Sequence, residues 1–205
     1  MHAKRWAAAA LEPEPNGLPA AASIQAAGNL ELLSTPKLGL MCSSQCPGSI
    51  VLKTYDLVRD LRDQGTVMVG GFHSPMEKEC LGILLRGHQP IVICPARYID
   101  GMFIPREWAQ AYEAQRLLVI SGFGPKDRRV TRAKAETRNR LVAALGKALV
   151  VPHAAPNSKT LALCKEVLAG QYRVLTFADP ANEELIQLGA HPIEVGASGA
   201  ALANV

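Results

Sequence analysis

Short apolar runs alternate along the chain with longer segments in which apolar positions recur at helical spacing. The runs are four to six residues long and are bounded by glycine, proline or polar residues, which is typical of buried strands. Strands are predicted in this way at residues 37–41, 66–69, 91–94, 117–120, 147–151 and 172–177.

The segments between these runs have the spacing of amphipathic helices. In residues 49–64, for example, Ile50 and Leu57 fall on one helical face, and Ser49 is the predicted cap. Further helices are predicted at 75–87, at 106–115, before residue 147, after residue 157 and at 181–188. This alternation predicts an α/β fold, namely a Rossmann-like, doubly wound, mostly parallel sheet with helices on both faces.

The two ends of the chain lack this periodicity. Residues 1–23 are rich in alanine, proline and glutamate, and we expect a mobile N-terminal tail there. Residues 196–205 read as a loose C-terminal end, which leaves 24–195 as the predicted domain. A chain of 205 residues with 48% hydrophobic content is large enough for one domain core.

Charge and cysteine content narrow the class of protein. The net charge of +4 permits a polyanionic partner without requiring one. The five cysteines form no regular framework, which favours reduced thiols and a cytoplasmic location. No apolar run is long enough to cross a bilayer, so we expect no membrane contact.

Small or polar residues follow each predicted strand. In a parallel sheet these strand ends meet at one edge, where ligands usually bind. Ser43 and Ser44 follow the first predicted strand, and Gly70 and Gly71 follow the second. Glycine at such a position lets backbone N–H groups approach a phosphate, although two glycines in a turn are as often structural.

Residues 130–170 carry the densest candidate chemistry. Arg138, Asn139 and Arg140 lie on a predicted helix, and arginine binds phosphate in a bidentate manner. A second helix begins near Ser158, where unpaired N–H groups favour an anion. A solvated helix face and plain helix capping are the alternative readings. The candidate phosphate-binding residues are Ser43, Ser44, Gly70, Gly71, Arg138, Asn139, Arg140, Ser158, Lys159 and Thr160.

The loop before the first of these helices is also basic. It holds Lys126, Arg128, Arg129 and Arg132, followed by Lys134, and could be a phosphate track or an ordinary charged surface loop.

Several other chemistries are not favoured. Neither the glycine-rich dinucleotide pattern nor the P-loop pattern is present, and we expect no cofactor. Cys42 and Cys46 lack the repeated close pairing of a zinc site. A nucleophilic Cys42 would need an orienting partner such as His73 or His153. No catalytic residue is therefore assigned.

The order of segments resembles the Rossmann-like domain of the DNA-processing protein A (DprA/Smf) family from about residue 26 to 193. GNLELLSTPKLGLMCSS resembles the family's GN-x-x-LL-x-x-P lead-in, first strand and GSR loop. GTVMVGGFHSPMEKE resembles its strand followed by SGLARGID. TRNRLVAALGKALVVPHAAPNSKTLALCKEVLAGQYRVLTF resembles its RRNR helix, V-LVVEA strand and SGSL-x-TA helix start, and NEELIQLGAHPI resembles N-x-LI-x-x-GA.

The resemblance implies a single-stranded-DNA-binding protein of DNA uptake and recombination that dimerises and has the recombinase RecA as partner. The family is not known as an enzyme. Arg138, Asn139 and Arg140 fall on its basic motif, and residues 158–160 fall on its helix-start pocket. The arginine of GSR is Ser44 here, the arginine of SGLARGID is Ser74, and its aspartate is Glu77. We therefore expect a diverged, stand-alone member with fewer cations on one side of the pocket.

Two further hypotheses remain beside DNA binding. The first is a small-nucleotide sensor or a nucleotide phosphoribohydrolase-like protein of the same fold superfamily, although the PGGxGTxxE signature of those enzymes is lacking. The second is a scaffold that acts only through protein contacts.

Overall fold

Nine short strands form one sheet in the part of the chain that the structure describes. The structure, a computed structural model, describes residues 8–11 and 24–204. The strands are β1 (Ala9–Leu11), β2 (Ile24–Gly28), β3 (Leu38–Leu40), β4 (Met68–Gly70), β5 (Ile91–Ile93), β6 (Leu117–Ser121), β7 (Ala148–Val150), β8 (Val174–Phe177) and β9 (His191–Ile193). Their order across the sheet is β1-β2-β6-β5-β4-β3-β7-β8-β9.

The sheet is parallel from β6 to β9 and antiparallel only at the β1–β2 end. The helices are α1 (Gly48–Asp63), α2 (Pro75–Leu85), α3 (Ala109–Glu113), α4 (Arg132–Leu145), α5 (Lys159–Ala169), α6 (Glu183–Gln187) and α7 (Gly199–Asn204). Short 3-10 turns lie at Leu30–Leu33, Arg106–Trp108 and Pro180–Asn182.

Alternating strand residues fill two separate hydrophobic cores, one on each face of the sheet. Ile93 packs with Leu57 of α1 on one face. Its neighbour Val92 packs on the other face with Leu141 of α4 and Leu161 of α5. This is the period-two pattern of a sheet buried on both sides. The predicted doubly wound, mostly parallel α/β fold is confirmed.

Three strands were missed by the hydrophobic pattern. β2, with the sequence IQAAG, contains only one large apolar side chain, and it pairs antiparallel with β6. β9 contains Pro192 and lies at the sheet edge with two of its three residues exposed. Such strands are ordered by pairing with a neighbour rather than by their own periodicity.

The described ends of the chain differ from the expected tail and loose end. Ala9–Leu11 pairs with β2, although it lies within the predicted N-terminal tail, and the rest of residues 1–23 falls outside the described residues. At the other end, α7 buries Leu202, and the Gly199 N–H donates to Gln64 Oε1 at 2.7 Å. The prediction of a loose end is therefore wrong for residues 199–204.

Side-chain caps set the beginning of the helices that face the strand ends. Ser74 accepts from the Glu77 N–H at α2, Thr131 from the Lys134 N–H at α4, and Ser158 from the Leu161 N–H at α5. α1 instead begins after Pro47 without a side-chain cap, so the predicted cap at Ser49 is wrong. Within residues 8–11 and 24–204, no helix combines the length and apolarity needed to span a membrane.

Candidate nucleic-acid interface

The candidate residues gather where the parallel strands end, but they do not form one surface. The loops after β3, β4, β5 and β7 meet there, next to the beginnings of α2 and α5. Three local arrangements divide the residues between them: a serine bridge, a buried arginine cluster and an exposed cleft.

The serine bridge joins the loop after β3 to the beginning of α5. Ser43 is buried, and its Oγ accepts from the Ala155 N–H at 2.9 Å and lies 3.1 Å from Ser158 Oγ. Ser158 Oγ also accepts from the Leu161 N–H at 3.1 Å as the cap of α5. Both hydroxyls are thus engaged inside the protein, whereas Ser44 is exposed.

The buried cluster is built around Arg138, which is only 4% exposed. Its Nη1 donates to the Cys94 carbonyl at 3.1 Å, and its Nε donates to Asn139 Oδ1 at 2.8 Å. The guanidinium packs so closely on Gly71 that a Cβ there would lie 1.7 Å from Arg138 Nη1. The position of Gly71 therefore requires a residue without a side chain, because Arg138 fills that space. Gly70, the last residue of β4, is likewise covered, in its case by the Phe72 ring.

Glu77 completes the buried cluster. Its Oε1 accepts from the Cys42 N–H at 3.0 Å, and its Oε2 accepts from the His73 N–H at 2.8 Å. The carboxylate therefore ties together the loops after β3 and β4, and the positive Arg138 is favourable near it. Burial lowers the pKa of Arg138, and the attraction of Glu77 partly offsets this.

These contacts make Arg138 a structural cation. Its burial does not support the predicted contact between Arg138 and a phosphate. The sequence carries a signal for this placement, because Arg138 lies three residues before Leu141 and four before Val142, which are both buried. That spacing places all three on the inward face of α4.

The exposed cleft lies between α4 and α5 and has a volume of about 110 Å³. It is referred to below as the α4–α5 cleft. Asn139, Arg140 and Lys159 line it, together with Glu136 and Glu166. Thr160 is half-buried beside it, in the first turn of α5. The cleft thus unites part of the predicted cationic motif with the predicted helix start.

Both cations of the α4–α5 cleft are paired with carboxylates. Arg140 Nε and Nη2 donate to the two Glu166 carboxylate oxygens, each at 2.8 Å. Lys159 Nζ lies 3.3 Å from Glu136 Oε1. The hydrogen bond from Arg140 lowers the pKa of Glu166. Because all four side chains are at least one-third exposed, these ion pairs are weak and exchangeable.

The basic loop consists of residues 126–132 and leads into α4. Lys126, Arg128, Arg129 and Arg132 are all exposed. Lys134 Nζ lies 2.9 Å from Asp127 Oδ1, and the Tyr98 N–H donates to the Asp127 carbonyl at 3.0 Å. The guanidinium carbon of Arg128 lies 5.4 Å from the centre of the Tyr98 ring. Asp127 therefore holds the loop in place, and most of its cations face outward.

A buried histidine supports the edge near the serine bridge. His153 Nδ1 lies 3.0 Å from Asn182 Oδ1, and Asn182 Nδ2 donates to the Pro152 carbonyl at 2.8 Å. The His153 carbonyl accepts from the Ser43 N–H at 3.0 Å. Asn182 is the asparagine that begins the family-like segment NEELIQLGAHPI, but no structural role is predicted for it from the sequence. Within the part of the chain that the structure describes, no three His, Cys, Asp or Glu side chains are arranged to hold a metal.

Two solved structures with this fold are DNA processing proteins. That of DprA from Streptococcus pneumoniae aligns with a TM-score of 0.70 and 23% identity, over 85% of this chain and 64% of that one. The chain thus spans less than two thirds of the S. pneumoniae protein. DNA processing protein A from Helicobacter pylori, described with its single-stranded DNA binding mode, aligns with a TM-score of 0.75 and 20% identity, over 94% and 93% of the two chains. At such identities the alignments show the shared fold.

A third match has the same architecture in another protein class. The molybdenum cofactor carrier protein of Chlamydomonas reinhardtii aligns with a TM-score of 0.52 and 15% identity, over 82% of this chain and 93% of that one. No curated protein matches the chain significantly.

Sequence comparison with protein families settles the family to which the chain belongs. The model for the DNA recombination-mediator protein A family matches residues 17–203, which is most of the chain. The resemblance seen in the order of sequence segments is thereby confirmed. Because this match covers most of the chain, the chain belongs to the DNA recombination-mediator protein A family.

Proposed function

We propose that this protein binds single-stranded DNA as a DNA-processing protein in DNA uptake and recombination. Family membership over residues 17–203 is the observation that carries the proposal. The H. pylori structure, described for its single-stranded DNA binding mode, shares the fold over 94% of this chain and supports it further.

The proposed interface consists of the α4–α5 cleft and the basic loop. Arg132 and Arg140 are eight residues apart on α4, about 12 Å along the helix axis. A phosphate backbone that followed α4 would thus meet one cation at the beginning of the helix and a second just beyond its middle. At the cleft it would also meet the beginning of α5, where the first N–H groups and Lys159 favour an anion.

Glu136 and Glu166 set the strength of this interface. Each is paired with a cation in the protein alone, so a DNA phosphate must exchange with a carboxylate to reach Arg140 or Lys159. Exposed ion pairs exchange easily, but breaking them cancels part of the binding free energy that the new phosphate contacts provide. Among the described residues, no carboxylate pairs with Lys126 or Arg129, so we assign the basic loop the first encounter with the strand.

A free nucleotide fits this surface less well than a strand does. The α4–α5 cleft has a volume of about 110 Å³, below the range of about 300–1,000 Å³ for small-molecule pockets. A larger groove of about 420 Å³ lies at Ser44, but its lining contains one cation, Lys78, beside one acid, Glu79. The small-nucleotide hypothesis is therefore the less favoured one.

The family resemblance further suggests partners. On that basis we propose a homodimer, a recombinase of the RecA type as protein partner and a cytoplasmic location. The buried cluster and the serine bridge would keep the interface rigid in that role, because their hydrogen bonds are all within the chain.

Fluorescence anisotropy with a labelled oligodeoxythymidine tests DNA binding. We expect the logarithm of the affinity to fall steeply with the logarithm of the salt concentration. Replacing Arg140 and Lys159 together by alanine should reduce the slope by about 1.4, since each contact with single-stranded DNA contributes about 0.7. The control replaces Arg59 and Arg86, which lie away from the cleft, by alanine.

The control double variant should keep the slope of the unmodified protein. No binding at low salt, or affinity that does not change with salt, would contradict the proposed function. Equal loss of slope in both double variants would contradict the placement of the interface at the α4–α5 cleft.

A further inference from the structure

We propose that Tyr98 and Arg128 together form a stacking site for a DNA base, so that the basic loop binds nucleobases as well as phosphates. The inference rests on the proposed function and extends it, because it states which part of a single strand this loop recognises. Tyr98 lies in the connection after β5, and Arg128 lies in the basic loop after β6. The guanidinium carbon of Arg128 lies over the Tyr98 ring, 5.4 Å from its centre.

The backbone around Tyr98 is fixed at three consecutive residues. The Arg97 carbonyl accepts from Ser121 Oγ at 2.7 Å, and the Tyr98 N–H donates to the Asp127 carbonyl at 3.0 Å. Ile99, the next residue, is fully buried in the hydrophobic core. The ring therefore stands on a rigid part of the chain. A ligand that packs on it orders few additional bonds, which lowers the entropic cost of binding.

Arg128 keeps its positive charge available for a ligand. It is exposed, and among the described residues no carboxylate pairs with it. Asp127 instead pairs with Lys134 Nζ at 2.9 Å, and Asp100 Oδ2 accepts from the Tyr98 hydroxyl at 3.4 Å. The Arg128 guanidinium thus has an aromatic ring on one side and solvent on the other.

The chemistry of this pair favours a base over a phosphate alone. A guanidinium is planar and stacks on aromatic rings and on bases, and single-stranded nucleic acids are commonly held by such stacks. A base placed against the exposed side of Arg128 would extend the stack that Tyr98 begins. The adjoining phosphate would then lie near the exposed Lys126 and Arg129. A phosphate by itself would gain nothing from the aromatic ring.

The Tyr98–Arg128 pair would also distinguish a single strand from a duplex. Bases in a duplex are stacked on one another, and exposing the face of one requires unstacking and unpairing it. Bases of a single strand can be splayed onto a protein surface. The cations of the α4–α5 cleft would contact only phosphates, which both forms of DNA carry. The preference for single strands therefore comes from the Tyr98–Arg128 pair.

A second tyrosine–arginine pair provides a matched control. Arg59 lies over the Tyr55 ring on α1, with its guanidinium carbon 6.0 Å from the ring centre. Arg59 is also paired with Asp56 at 2.9 Å, so its charge is neutralised locally. α1 packs on one face of the sheet and α4 on the other, which places this pair away from the basic loop. Tyr55→Leu therefore removes an equivalent ring outside the proposed interface.

Anisotropy titrations with two labelled strands of equal length test the inference. One is oligodeoxythymidine, and the other is an abasic strand with the same number of phosphates. We expect the unmodified protein and Tyr55→Leu to bind the thymidine strand about fivefold or more tightly than the abasic strand. Tyr98→Leu should bind both strands with equal affinity, whereas Tyr98→Trp should keep the preference. Arg128→Lys should keep the salt dependence and lose most of the preference, because an ammonium group has no flat surface to stack.

The outcomes separate the stacking site from the proposed function. Equal affinity of the unmodified protein for the two strands would overturn the stacking site and leave phosphate binding in place. An equal loss for both strands in Tyr98→Leu would show that the ring only stiffens the basic loop, and would also overturn it. So would a preference that persists in Arg128→Lys, a substitution at an exposed position that leaves the fold intact. No binding of either strand would overturn the proposed function itself.

Discussion

Arg138 and Arg140 are two residues apart on one helix and have opposite environments. Arg138 is 4% exposed and donates to the Cys94 carbonyl, whereas the Arg140 side chain is 47% exposed and pairs with Glu166. Two residues along an α-helix correspond to a rotation of about 200°, so side chains at this spacing face opposite ways. The comparison shows that a basic motif on a helix is divided by the helix itself into a structural half and a ligand-facing half.

The largest expected difference between the two arginines is in stability. Arg138→Met removes the guanidinium from between Gly71 and Cys94 and leaves a buried carbonyl without its donor. We expect the free energy of unfolding to fall by about 2–4 kcal/mol. Arg140→Met should lower it by less than about 1 kcal/mol, since its ion pair is exposed. Urea denaturation of both variants measures this, and equal losses would contradict the division of the motif.

Gly71→Ala should disturb the packing of the buried Arg138 and leave the exposed Arg140 unaffected. The new Cβ would meet Arg138 Nη1 at 1.7 Å, so the guanidinium must move, and we expect a loss of about 1–3 kcal/mol. Gly82→Ala is the matched control, because Gly82 is exposed on α2 with nothing within 4 Å, and it should stabilise by about 0.5–1 kcal/mol. In the background of Arg138→Met, Gly71→Ala should have a much smaller effect.

Glu136→Gln should increase the affinity of the α4–α5 cleft for DNA. The substitution removes the carboxylate 3.3 Å from Lys159 and 3.8 Å from Arg132. We expect DNA affinity at low salt to rise about fivefold or less, as for an exposed pair of about 1 kcal/mol. Asp56→Asn, which makes the same charge change on α1, should raise it less. Anisotropy titrations of the two variants side by side decide whether the position of the charge matters.

Acid should affect the Arg140 pair slightly. Arg140 holds the pKa of the Glu166 carboxyl below its ordinary value of 4.5, so the pair stabilises the protein above that pH and is lost as pH falls through the lowered pKa. The contribution of this exposed pair should be a few tenths of a kcal/mol. Unfolding midpoints of the unmodified protein and Glu166→Gln should differ slightly at about pH 7 and converge as pH falls through the lowered pKa of Glu166.

The hydrophobic pattern of the sequence was enough to predict the fold, but it did not predict which candidate residues are exposed and which are buried. Runs such as residues 117–120 are apolar throughout, because parallel strands are buried on both faces. Such a strand can be predicted from its own residues, without knowing which strands lie beside it. β2 and β9 carry little signal of their own, since their order comes from neighbouring strands. Likewise, the motif Arg138-Asn139-Arg140 by itself indicates charge, and only its spacing to Leu141 and Val142 indicates that Arg138 faces inward. The carboxylates near its two arginines come from other helices, Glu77 of α2 for Arg138 and Glu166 of α5 for Arg140, and only the packing of the helices brings them there.

Pro192 has a consequence for how copies of this chain can meet. It occupies the middle of β9, the outermost strand on one side of the sheet, where proline is tolerated because no ladder donor is required of it. An edge that lacks one N–H is a poor template for an added strand. Self-association by fusing two sheets into one is therefore disfavoured at this end, and a homodimer would have to be built from helix and loop surfaces instead.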